Sequence, residues 1–156
     1  MTAPLTTLAE LDEAIRMRCA DDGVARGAII QALIALARFV CGKLPPLPPE
    51  HAAGVAQAFS ILEAWCRGAR DEEPLIAAFE GLQYTLRPAR KHQKVPPQLL
   101  FLDLLSGVLQ AAHYEDHDDW PDEVVVAAVD LLGELGTPQA QAIQAVSETL
   151  ARHEVI

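Results

Sequence analysis

His113 and His117 stand four residues apart in the stretch "AHYEDHDDWPDE", Ala112 to Glu123, which also holds Tyr114, Trp120 and six carboxylates. On a continuing helix the two imidazoles would share a face. With Glu115, Asp116, Asp118 or Asp119 they form a donor set for a divalent ion, because imidazole and carboxylate together suit zinc, manganese or iron. No stronger metal signature accompanies them. The sequence has no HExxH and no ExxH pair repeated on a second helix, as di-iron bundles require. "DHDDWP" lacks the glycine and the closing glutamate of an EF-hand loop. A second reading is a solvated connection, in which one helix ends near His113 and acidic residues open the next, both favourable to the helix dipoles. A third is a docking surface. Tyr114 and Trp120 are of the aromatic type enriched at binding hot spots. Glu115, Asp116, Asp118, Asp119, Asp122 and Glu123 around them complement a Lys- or Arg-rich partner. Trp120 also fits a lid over the core.

The charge distribution bears on the choice of partner. Net charge is −10, yet residues 1–96 carry 11 acidic and 11 basic side chains. Residues 97–156 carry 11 acidic side chains and a single basic one, Arg152. The whole imbalance therefore lies in the C-terminal two-fifths, which disfavours nucleic acid or an anionic membrane as its partner. The opposite sign is concentrated in "RPARKHQK", with Arg87, Arg90, Lys91, Lys94 and His92. A basic patch can hold phosphate or RNA, but a helix end followed by a basic linker explains one loop without interleaved aromatics. Pairing of this linker with the acidic stretch, within the chain or between subunits of a homo-oligomer, is left open.

Other chemistry finds no support in the residue pattern. Ser60, in "AFSILEAW", sits in a helical pattern rather than the strand-turn-helix elbow of a serine hydrolase. There is no phosphate loop and no GxGxxG, so the chain reads as non-enzymatic and without a cofactor. Cys19, Cys41 and Cys66 are odd in number, widely spaced and without a CxxC, which speaks against a disulfide framework or zinc knuckle and for a reducing compartment. The start, "MTAPLTTLAELDEAIR", shows no basic-then-apolar leader, and the longest apolar run, Gly27 to Cys41, is too short to span a bilayer. A cytoplasmic, non-membrane protein is expected.

The elements that must position these residues are helices. Apolar residues recur at i, i+3, i+4 and i+7 in nearly every segment. "TLAE" is a capping box, Thr7 with Glu10, opening a first helix through Leu8, Leu11 and Ile15. A second, Val24 to Val40, has a wide stripe and belongs at the centre, with Gly42 as its C-terminal cap. "KLPPLPPE" stops any helix. A third runs from Glu50 to Arg67 and is closed by Gly68. A fourth opens at "ARDEEP", with Asp71 to Glu73 suited to a helix start and Pro74 in the first turn. A fifth, Pro97 to His113, is apolar nearly all round and should be buried. A sixth follows Pro121 and ends at Gly136. Thr137 and Pro138 serve as N-cap and first-turn proline of a seventh. The expectation is one all-α domain of about seven helices in antiparallel pairs. Its halves, 1–86 and 97–156, are joined by the basic linker 87–96. It is either a compact bundle or a short irregular array.

"PDEVVVAAVDLLGELGTPQAQAI", Pro121 to Ile143, resembles a HEAT-like repeat unit: a proline or acidic start, a Val-rich first turn, an "AA…LLGELG" helix and a "TP" turn into a second helix. The likeness extends over residues 121–150, and the basic residue usual in the first helix of such units is absent. The resemblance implies protein binding and supplies no catalytic residues. Together these features lead to an acidic protein-binding module for a basic protein partner, of the immunity-protein or antitoxin kind, with Tyr114, Glu115, Asp116, Asp118, Asp119, Trp120, Asp122 and Glu123 as contacts. The alternatives are a metal-binding bundle or metal-dependent enzyme using His113 and His117, and a scaffold subunit. Elemental analysis of protein purified without a metal-affinity tag separates the first two. The binding module carries no stoichiometric metal, and one equivalent of zinc, manganese or iron would favour the metal site.

Overall fold

The capping box at Thr7 forms as the sequence dictates. Thr7 Oγ1 accepts from the Glu10 amide at 3.1 Å, and the Thr7 amide donates back to Glu10 Oε1 at 3.1 Å. In the computed structural model, which describes residues 5–22, 26–69, 71–86, 95–113, 122–153 and 155, this box opens α1 (Leu8–Asp22). Six more helices follow: α2 (Arg26–Cys41), α3 (Pro49–Cys66), α4 (Glu72–Leu86), α5 (Pro97–His113), α6 (Asp122–Glu134) and α7 (Gln139–Arg152). The described residues contain no strand, and the chain is an all-α helical bundle.

Helix ends are set by local chemistry, and two differ from expectation. After α3, Gly68 takes φ +112°, its amide bonds Trp65 O, and the Ala69 amide reaches Ala64 O at 3.0 Å. After α6, Gly136 takes φ +94° and the Thr137 amide reaches Leu132 O at 2.9 Å. Both are Schellman closures, which require the left-handed conformation that glycine adopts without steric cost. Gly42 does not play this part. It lacks a positive φ, and α2 instead tightens through Lys43 N to Val40 O and Leu44 N to Cys41 O. The proline ending "KLPPLPP" lets the chain leave in extended form without a left-handed residue. Thr137 is likewise not the N-cap of α7. Pro138 holds that position with ψ 144° and accepts the Ala142 amide, as Pro48 does for α3.

α5 lies at the centre. Phe101, Leu102, Leu104, Leu105, Val108 and Leu109 are all essentially inaccessible to solvent, and α5 packs against α2, α3, α4 and α6. Only Asp103 and Gln110, seven residues apart on one line, are exposed in the stretch between Phe101 and Ala112. α2 is the second central element, buried along Ile30, Leu33, Leu36 and Val40 and touching α3, α5, α6 and α7. One hydrophobic cluster draws on all seven helices. Sequential pairing fails at α1, which buries Leu11 and Ile15 and lies against α7, at the far end of the chain. Ser106 and Thr149, the buried polar side chains among the described residues, donate to carbonyls one turn back, Leu102 O and Ala145 O.

α5 and α6 approach closely at Gly107. A Cβ there would stand 3.0 Å from Val124 Cγ2, whereas one on Gly81 in α4 meets nothing within 4 Å. Gly81→Ala should raise stability by about 0.5–1 kcal/mol through helix propensity. Gly107→Ala forfeits that gain to overpacking, which costs about 1–3 kcal/mol. Thermal unfolding of the two variants should therefore shift in opposite directions, and a rise at Gly107 would contradict the contact. A second prediction concerns pH. Hydroxyl donation by Thr7, then by Thr6, holds the Glu10 carboxyl below its ordinary value. A depressed carboxylate contributes stability that is complete above the unfolded value and is lost as pH falls through the folded one. The Glu10 side-chain carbon, followed by NMR, should titrate at lower pH in the folded chain than in urea, with the Thr7 amide shift tracking it. Coincident midpoints would remove the box as the cause.

Candidate functional site

The acidic stretch divides at the edge of what the structure describes. Tyr114, Glu115, Asp116, His117, Asp118, Asp119, Trp120 and Pro121 lie outside the described residues, as do Arg87, Arg90, Lys91, His92 and Lys94 and the side chain of Asp122. Flanking them are His113, the last residue of α5, and Glu123, exposed in the first turn of α6. Among the described residues no three His, Cys, Asp or Glu side chains gather closely enough to hold a metal ion, and no helix is long and apolar enough to cross a membrane.

α6 carries the acidic character onward. Its buried face is Val124, Val125, Ala128, Val129, Leu131 and Leu132. Its exposed residues include Glu123, Asp130 and Glu134. At 3.6 residues per turn, positions seven and eleven beyond Glu123 fall within about 20° of it, so the three carboxylates form one line about 16 Å long. Val126, 41% exposed, sits beside that line. On α5 and α7, Asp103 and Glu148 are exposed too. Asp130 and Glu134 were legible as part of this line from their spacing. Composition alone bounds the acidic segment at Glu123, and only helical phase adds the two residues beyond it.

In the N-terminal half, cations meet carboxylates. Arg16 pairs with Asp12 one turn away, and Arg38 pairs with Glu63, joining α2 to α3. The Arg38 guanidinium also lies 4.3 Å from the centre of the Phe59 ring, whose own neighbour is Phe101 at 6.4 Å. Both members of the Arg38–Glu63 pair are about half exposed, so the charge contribution is small and the stacked stem matters as much. Cys41 and Cys66 are half-buried thiols outside any disulfide. Burial pushes the Cys41 thiol up despite nearby Arg38, which makes it a poor nucleophile.

A separate concave feature lies between α3 and α4. It is a groove of about 140 Å³ whose polar lining comes from Glu50, His51, Gln57 and Thr85. Gly54, Ala77, Ala78 and Gly81 leave it open, and Leu82 and Leu102 form its apolar wall. His51 Nδ1 is shielded from solvent and has no hydrogen-bond partner among the described residues. The groove escaped the sequence reading because it is assembled from small residues on two helices. Its one sequence signal was the pair of glycines inside helical patterns, which commonly have a packing or functional reason.

No protein-family model, curated protein or solved structure matches the chain. The fold and the placement of its charges define the class: an acidic, all-helical bundle with a carboxylate-lined face on α6.

Proposed function

We propose that the chain is a non-enzymatic protein-binding module that docks a basic protein partner through the carboxylate line of α6 and the adjoining residues 114–122. The observation that carries this reading is the outward placement of charge. Every described carboxylate side chain of residues 97–156 occupies an exposed position, in a half that has one basic residue. A field of one sign steers an oppositely charged partner and raises its association rate. Val126, beside Asp130, adds apolar contact at the same face. The hairpin of α6 and α7, joined through Gly136, Thr137 and Pro138, has the layout that a HEAT-like unit implies, and this supports protein recognition as the use of its outer face. Inhibition of a basic toxin-like protein is the most specific form of the reading, and a scaffold role is the broader one.

Binding by such a face is salt-sensitive, since the screening length shrinks from about 30 Å at 0.01 M to about 8 Å at 0.15 M ionic strength. Partner proteins captured from the native host should be identified, purified and measured against wild type and the triple variant Glu123→Gln, Asp130→Asn, Glu134→Gln. Three exposed charge contacts at about 0.2–1 kcal/mol each correspond to a loss of about three- to a hundredfold in affinity. Neutralising Glu72, Glu73 and Glu80, exposed on α4, should leave the affinity within about twofold, the range of ordinary surface substitutions. Equal binding by wild type and the α6 variant would remove the line from the account.

A further inference from the structure

Tyr84 is the most exposed large apolar side chain among the described residues, at 75%. It projects from the outer face of α4 next to Thr85, which lines the α3–α4 groove, and Ile76 on the same helix is exposed too. The surface around Tyr84 is built of short side chains, Ala77 and Gly81 on α4 and Ala53 and Ser60 on α3, all exposed. A tyrosine carries a large apolar area with a polar tip, and it is a residue type enriched at binding hot spots. The groove beside it measures about 140 Å³, close to the ~150 Å³ of a cavity that admits benzene. Gln57 on its lining offers a hydroxyl both a donor and an acceptor. One face thus carries a projecting phenol ring and a hollow of the size and polarity that such a ring fits.

Helical register favours a second copy of the chain as the occupant. A Cβ on Gly54 would stand 3.7 Å from Leu82 Cδ2, so α3 and α4 run antiparallel with residue 54 level with residue 82, and Gln57 level with residue 79. A two-fold axis crossing α4 at Gly81 sets the α4 helices of two copies antiparallel, with residue 84 of one opposite residue 78 of the other. Tyr84 of each copy then meets Ala77, Ala78 and Gln57 of the other, at the groove. Gly81 lets the two helices approach at the axis, with no atom within 4 Å of where its Cβ would stand. A foreign protein would have to supply both ring and hollow at this spacing, whereas a second copy has them by symmetry. We infer that this face is a self-association surface, on which two copies form a weak two-fold dimer with Tyr84 of each seated in the α3–α4 groove of the other. The area agrees with a weak contact. Helices of 18 and 15 residues present a face of about 25 Å by 20 Å, or about 500 Å², which falls among weak, transient interfaces rather than at the ~800 Å² per partner of a standard one. The charge excess of −10 is carried by residues 97–156, beyond α3 and α4, while exposed Glu80 flanks the contact. Both repulsions are screened by salt. The surface uses none of the α6 carboxylates, so either proposal can fail alone.

The test is sedimentation equilibrium of the full chain under a thiol reductant, from about 10 μM to about 1 mM protein. A dimer with a dissociation constant on the order of 100 μM is expected. Raising salt from about 0.05 M to about 0.3 M should strengthen it, the opposite of the salt response of a basic partner. Tyr84→Ala removes the ring and Gly81→Leu fills the hollow. Each should weaken association at least about tenfold, the loss of one hot-spot residue, while leaving the helical circular dichroism unchanged. In a mixture of carbon-13-labelled and unlabelled chains, isotope-filtered NMR should show contacts from the Tyr84 ring of one copy to the Ala77 and Ala78 methyl groups of the other. A chain that stays monomeric at about 1 mM in the higher salt would overturn the proposal, whether a foreign protein or water covers the face. So would a dimer that both variants leave undiminished, or one that salt weakens, since either would place the contact elsewhere on the molecule.

Discussion

Burial of α5 is the constraint from which the remaining arrangement follows. Six of its side chains, Phe101 through Leu109, are fully withdrawn from water. At about 1.5–3 kcal/mol each they contribute about 9–18 kcal/mol of gross stabilisation, an upper figure because the unfolded chain already buries some of that surface. That is comparable to the whole net stability of an ordinary domain, about 5–15 kcal/mol. Between Phe101 and Ala112 only the narrow line of Asp103 and Gln110 is exposed, so neighbours must cover this stretch of α5 on nearly every side. α2, α3, α4 and α6 do so, each with an apolar face of its own.

That requirement also fixes the charged surface. α6 turns its valine and leucine face inward, with Gly107 of α5 admitting Val124 closely. Helical phase then carries Glu123, Asp130 and Glu134 outward together. Asp130 and Glu134, one turn apart, repel each other by a few tenths of a kcal/mol. The buried face of the same helix outweighs this by more than an order of magnitude, so the line persists as a surface feature. The α3–α4 groove has a similar origin, since its small residues sit where two helices pass with little side-chain volume between them.

Much of this was legible in the sequence, and the exceptions have physical causes. Helical period located every element, and the Thr7–Glu10 box and the Gly68 and Gly136 closures were read from local chemistry alone. Gly42 misled because a glycine after an apolar stripe signals a left-handed cap only when the chain must turn sharply, and the proline-rich exit makes that unnecessary. Thr137 misled because Pro138 itself supplies the extended conformation of an N-cap. The pairing of α1 with α7 is a contact between chain ends, to which periodicity is blind. Of the proposed contact residues, Glu123 lies on the exposed face of α6, and Asp130 and Glu134 join it through spacing that only a helix makes meaningful.

The central claim is that the outward carboxylates of α6 govern recognition by steering a cationic partner. Stopped-flow measurement of the association rate constant tests it most directly, using the purified partner and a variant with Glu123, Asp130 and Glu134 reversed to lysine. Steering predicts at least about a tenfold slower association at 10 mM salt, with the difference nearly gone at 1 M, where the screening length is about 3 Å. An association rate that neither the reversal nor salt alters would contradict the account.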